Sequence, residues 1–168
     1  MTLYHGSDQI IKAPELRSST RTLDFGAGFY ATTSKDQAVN FAVKVYERSN
    51  REGKNPGGKF ISIYEADYEK MQQELDMLRF EFADEAWLNF VMANRRNTYN
   101  GKKYDVIYGP VANDTVYRTL IAFENGILSP AETIARLKVR QLFDQMTFVS
   151  EYSLSFLRFA DSLEVPNE

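Results

Sequence analysis

The chain has a single histidine, in Tyr4-His5-Gly6-Ser7, where an imidazole is followed at once by a glycine and a hydroxyl. A neutral imidazole can donate or accept a hydrogen bond, for instance with a ribose hydroxyl, without placing fixed charge beside it near pH 7. Gly6 carries no Cβ, so a ligand can approach the backbone closely. A histidine packed at a strand end gives the same pattern, and taken alone the two readings stand level. A second cluster is Asp24-Phe25-Gly26-Ala27-Gly28-Phe29-Tyr30-Ala31-Thr32. Its glycines allow a sharp turn that delivers Tyr30 on a strand, and the ring face can then stack on a planar heterocycle, with extra attraction for a cationic one. The alternative is a bulge or hairpin that feeds the core.

These residues need elements to position them. Thr2 to Tyr4 reads as a short strand and Gly28 to Thr32 as another. Ser34 and Gln37 have capping-box spacing, each side chain answering an unpaired backbone N–H, and Ala38, Phe41, Ala42 and Val45 then form one apolar stripe of a helix over Lys35 to Tyr46. The turn-rich stretch Arg51 to Gly58 is a loop, followed by a strand over Phe60 to Tyr64. Trp87, Phe90 and Val91 recur at helical spacing between Ala83 and Asn94, and Tyr104 to Tyr108 is a strand that Gly109-Pro110 should stop. Asn113-Asp114 suits the N-cap of a helix to about Phe123, and Ser129-Pro130-Ala131-Glu132 opens another. Strand Met146 to Val149, a helical turn from Ser150 and an extended segment from Leu157 to Val165 complete the chain. The class is α+β. No strand–Gly-x-Gly-x-x-Gly–helix unit appears, which disfavours a Rossmann fold.

Composition narrows the chemistry. The length of 168 residues with 43% hydrophobic content fits one core, hence a single domain over 1–168. Net charge is −3, without the basic excess that bulk nucleic-acid binding uses. The absence of cysteine excludes disulfides, thiolate metal sites and cysteine nucleophiles, and one histidine excludes multi-histidine metal sites. With no apolar run near the ~20 residues of a membrane span and no signal-peptide pattern, the expected compartment is the cytoplasm.

Taken in order, Leu3 to Ser7, Asp24 to Thr32, Trp87 to Arg95, Tyr104-Asp105, Gly109 to Asp114 and Asp144-Gln145 resemble a bacterial family of ADP-ribosyltransferase-like proteins. That family is of the diphtheria toxin and poly(ADP-ribose) polymerase type, marked by a His, a Tyr and a Glu. The resemblance implies a split antiparallel β-sandwich with peripheral helices. It also implies an NAD-dependent mono-ADP-ribosyltransferase that takes NAD as co-substrate, without a metal. It places His5 on the adenosine-side ribose, the Gly6 backbone on the nicotinamide amide, Tyr30 against the nicotinamide ring and Phe41 as a second aromatic wall. Ser7, Gly28 and Thr32 belong to the same binding elements, and Arg17 or Arg21 would meet the pyrophosphate. Gln145 stands where the glutamate is expected. A carboxamide keeps an oxygen for a ribose hydroxyl but loses the charge that opposes a developing oxocarbenium ion, up to about 4 kcal/mol at ~4 Å and an effective dielectric of ~20. Asp144, Glu151 and Asp114 are the carboxylates that could compensate. The implied partners are an unidentified protein or nucleic-acid acceptor and a small neutralising antitoxin, as for a toxin or effector, with no membrane.

Alternatives stand beside that reading. The same clamp would serve an NAD-binding module with little turnover or an NAD glycohydrolase, and 14% aromatic residues could equally build an interaction surface. Arg95 and Arg96 end a helix, where they suit its dipole; otherwise they would meet the pyrophosphate or, with Arg17 and Arg21, guide a nucleic-acid end.

Overall fold

The computed structural model describes residues 1–16, 23–111, 114–138 and 142–166. Seven strands and six helices lie within them, in the order β1 (Thr2–Ser7), β2 (Phe29–Ala31), α1 (Lys35–Arg51), β3 (Phe60–Ala66), α2 (Tyr68–Glu74), β4 (Met77–Arg79), α3 (Glu85–Arg95), β5 (Val106–Pro110), α4 (Asp114–Glu124), α5 (Pro130–Lys138), β6 (Asp144–Phe148), α6 (Glu151–Leu154) and β7 (Leu157–Glu164). The class is α+β, because the helices and strands alternate irregularly and the strands pair mostly antiparallel.

Two sheets form, one ordered β1-β3-β7 and the other β2-β6-β5-β4. All pairs are antiparallel except β4 with β5, which run parallel. The antiparallel pairing expected from the sequence holds for every pair but this one. A parallel pair needs a long crossover, and α3 supplies it between the two strands. The sheets are joined where Tyr4 and Thr32 exchange backbone hydrogen bonds of 2.8 and 2.9 Å.

One core fills the space between the sheets, from Leu3, Tyr64 and Leu157 on one side to Phe29, Val106, Met146 and Phe148 on the other. A second lies outside the four-stranded sheet, where Trp87, Leu88 and Val91 of α3, Val116 and Leu120 of α4 and Leu137 of α5 pack over Ile107. Trp87 is fully buried and satisfies its indole by donating Nε1–H to the Pro110 carbonyl at 2.9 Å.

Strand β5 runs through Gly109-Pro110 instead of stopping before it. Val111 N–H donates to Phe143 O, so strand alternation turns the Pro110 nitrogen to the opposite side. The parallel pairing there has already ended at Arg79 and Tyr108, and no donor is missed.

Helix α1 packs its flank on β1, but not through the stripe expected. Ala38 and Ala42 are buried, whereas Phe41 is 45% exposed. A Cβ at Gly6 would lie 2.0 Å from Ala38 O, a separation no side chain can occupy. Only small residues fit so close an approach, and Phe41 is displaced to the edge. Gly6 therefore lacks a side chain because a helix is pressed against it.

Candidate functional site

The bridge between the two sheets leaves an open cleft with about 360 Å³ of empty space. It is lined by Tyr4, His5 and Gly6 of β1, Tyr30, Ala31 and Thr32 of β2 and its end, Gln37, Ala38 and Phe41 of α1, Val111, and Asp144 and Gln145 of β6. The cleft is open to solvent on one side, and its fully enclosed part holds only about 50 Å³.

His5 enters from β1. Its Nδ1 lies 2.6 Å from the Tyr30 carbonyl, which can only accept, so Nδ1 carries the proton. The ring is held flat on Phe29, with centroids 4.4 Å apart. Orientation and protonation at Nδ1 are thus both fixed by β2.

Tyr30 offers the cleft its ring and not its hydroxyl. The phenol donates to Gly26 O at 2.6 Å and accepts from Phe25 N–H at 3.1 Å. Burial pushes its pKa well above the ordinary tyrosine value, with the Phe25 hydrogen bond opposing part of that shift. The phenol is neutral through the physiological range, committed to the turn at Gly26, whose φ of 80° is the left-handed conformation that glycine adopts without strain.

Asp144 is the only carboxylate among the described lining residues, and it is fully engaged. Oδ1 accepts from Thr32 Oγ1 and Thr33 N–H, both at 2.9 Å, while Oδ2 accepts from Thr33 Oγ1 at 2.5 Å and Tyr108 OH at 2.8 Å. It clasps the turn before α1 to β6 and β5. Burial, followed by the bond to Asp144, pushes the Tyr108 phenol up in turn.

Gln145 is the opposite case. It is only 7% exposed, and its Nε2 has no hydrogen-bond partner among the described residues. A buried amide nitrogen left unpaired costs about 1–3 kcal/mol, so such a group calls for a partner that arrives from outside.

The structure thus gathers His5, Gly6, Tyr30, Thr32, Phe41 and Gln145 around one cleft and leaves other expected residues elsewhere. Ser7 Oγ donates to Asp8 Oδ1 at 3.3 Å and does not line the cleft. Gly28 is required because a Cβ would meet Phe148 O at 2.6 Å and Thr147 Cγ2 at 2.7 Å, which makes it a packing glycine of β2 against β6. Arg95 pairs with Asp24 at 3.4 Å and lies 4.5 Å from the Tyr117 ring centroid, and Arg96 pairs with Glu124 at 3.6 Å; neither lines the cleft. Glu151 is exposed in the first turn of α6 and lines no part of it either. Arg17, Arg21, Asn113 and the Asp114 side chain lie outside the described residues.

A family model described as Protein of unknown function (DUF3990) matches residues 1–159. The chain belongs to this family. No curated protein and no solved structure matches it. Within this DUF3990 chain, no group of three or more acidic or histidine side chains that could hold a metal occurs among the described residues, and no helix there is long and apolar enough to cross a membrane.

The sequence marks Gln37 only as half of a capping box, not as a cleft residue, and the Tyr108–Asp144 clasp joins strands whose adjacency no local pattern announces. Thr32, two residues before Ser34, was the available signal for Gln37, because its hydroxyl can reach the same backbone N–H.

Proposed function

We propose that this protein binds the nicotinamide-ribose half of NAD in the cleft and transfers single ADP-ribose units to a macromolecular acceptor. The observation that carries the reading is the buried, unpartnered Gln145 Nε2, in the same cleft as the His5 imidazole and the Tyr30 ring. The positively charged pyridinium ring fits between aromatic faces, which Tyr30 and Phe41 offer. Gln145 would donate to an oxygen of the adjoining ribose, and His5 would meet the adenosine-side ribose. With both sugars fixed and the ring held, loosening of the glycosidic bond exposes the ribose carbon to an acceptor, and transfer over hydrolysis follows from exclusion of water. The ADP-ribose likeness of the motif order supports the same reading, as does the α+β sandwich.

A second reading is favoured by one observation. The cleft's described carboxylate, Asp144, already accepts four hydrogen bonds, so the charge lost at Gln145 is not replaced there. The protein is then an NAD-binding module with little turnover.

Incubation with NAD labelled on the adenylate side and a cell lysate separates the two. Transfer gives a labelled macromolecule with nicotinamide released; Tyr30→Ala abolishes the label, while Tyr30→Phe, which keeps the ring, retains most of it. NAD binding without nicotinamide release selects the module, and in that case Gln145→Glu raises release by up to about a thousandfold, the rate equivalent of the missing charge. Failure of the folded protein to bind NAD at all excludes both.

A further inference from the structure

The first turn of α1 carries only half of the capping box that its sequence encodes. Ser34 Oγ accepts from Gln37 N–H at 3.2 Å, as expected. The return arm is missing, because Ser34 N–H donates instead to Thr32 Oγ1 at 3.0 Å. Gln37 is thereby released from the cap. Gln37 lines the cleft, as Gln145 does. At α5 the equivalent box is closed: Glu132 Oε2 accepts from both Ser129 N–H and Ser129 Oγ at 2.8 Å, and Ser129 Oγ accepts from Glu132 N–H at 3.2 Å. The helix termini share one sequence signature, and only the one at the cleft has its side chain withdrawn from the backbone.

We infer that Gln37 is a ligand-contacting residue that reads the carboxamide of the nicotinamide ring, an inference that rests on the NAD reading above. Three features carry it. Gln37 adjoins Ala38, whose carbonyl packs on Gly6, so the Gln37 backbone is held against β1 where Gly6 and Gln37 both line the cleft. A primary carboxamide both donates and accepts, so it pairs reciprocally with another carboxamide, whereas a carboxylate would accept from the ring's amide N–H and repel its carbonyl oxygen. Gln145 in the same cleft shows that the site already holds a polar group waiting for a partner.

The test is a titration of the isotopically labelled full chain with NAD, following the side-chain NH2 signals of Gln37 and Gln145. Both signals shift with one saturation curve. Gln37→Ala weakens NAD about tenfold, the loss of one neutral hydrogen bond, and leaves binding of ADP-ribose, which lacks the ring, unchanged. Gln37→Glu restores the closed box seen at α5, so the thermal midpoint holds or rises while NAD still weakens, an outcome that a purely structural role cannot produce. A shift at Gln145 with Gln37 unmoved, or wild-type affinity in Gln37→Ala, overturns this inference and leaves the NAD reading intact. Absence of any saturable shift at either side chain overturns both.

Discussion

Asp144 and Gln145 are neighbours on β6, both lining the cleft, and they differ in how their polar atoms are used. The carboxylate accepts four hydrogen bonds from Thr32, Thr33 and Tyr108, while the carboxamide nitrogen beside it has no partner among the described residues. The helix caps repeat the contrast, with Glu132 closed upon Ser129 and Gln37 left open to the cleft. In both pairs the acid holds the protein to itself and the amide is kept back. Asp144 thereby acts as a positioning residue, because it fixes the turn that leads into α1 relative to the strand that carries Gln145.

This division predicts opposite responses to mutation. Asp144→Ala leaves a backbone N–H and several hydroxyls without their acceptor and should cost about 3 kcal/mol of stability, measured by denaturant unfolding; Asp144→Asn, which keeps one acceptor oxygen, should cost less than half of that. A neutral response to Asp144→Ala would remove the distinction altogether. Gln145→Met should go the other way, holding stability or raising it by about 1 kcal/mol as an unpaired buried amide is replaced by an apolar side chain of similar size, while NAD affinity falls. If Gln145→Met instead destabilises the fold strongly, the amide has a structural partner and is not kept for a ligand.

The caps sharpen the same contrast at smaller scale. Ser34→Ala should cost about 1 kcal/mol, since it removes the acceptor for Gln37 N–H, and should also disturb the cleft; Ser129→Ala should cost a similar amount without touching it. The smallest effect is electrostatic. The Ser129 backbone N–H and then its hydroxyl hold the Glu132 carboxyl below its usual range. Its folded pKa is depressed, so its contribution is present at neutral pH, above the unfolded value, and is lost as the pH falls through the folded one. Glu132→Gln should flatten that acid limb slightly in a pH series of unfolding curves. Gln37 has no charge to lose, so Gln37→Ala should leave the limb as it is.

Elements that carry their own signals were legible. The Ser34 cap, the Trp87-Phe90-Val91 spacing and the Ser129-Pro130 start each place the beginning of a helix within two residues of the observed one, although α1 runs on past Tyr46 to Arg51. Helix α2 was not read, because it has seven residues and only Met71 of them is buried, so it shows no apolar stripe. Strand β4 has three residues and pairs in parallel with β5 across a helix, and nothing local specifies such a partner. His5, Gly6, Tyr30 and Gln145 were grouped into one site only through the family resemblance, since no spacing or periodicity in the chain joins them. The roles of the glycines were no more legible. Gly6 and Gly28 are each set by a backbone packed against them, which a linear sequence does not display.

The contact of Gly6 with α1 also sets how the cleft is braced. With the Ala38 carbonyl so near that strand, helix and strand are locked in register, and His5, Gln37 and Phe41 stand on one unit. Tyr30 and Gln145 stand on the four-stranded sheet, which is fastened to that unit by the Tyr4–Thr32 bridge, the His5–Tyr30 contact and the Asp144 bonds to Thr32 and Thr33. A guest therefore meets a seat built in advance, with both banks already moored to each other.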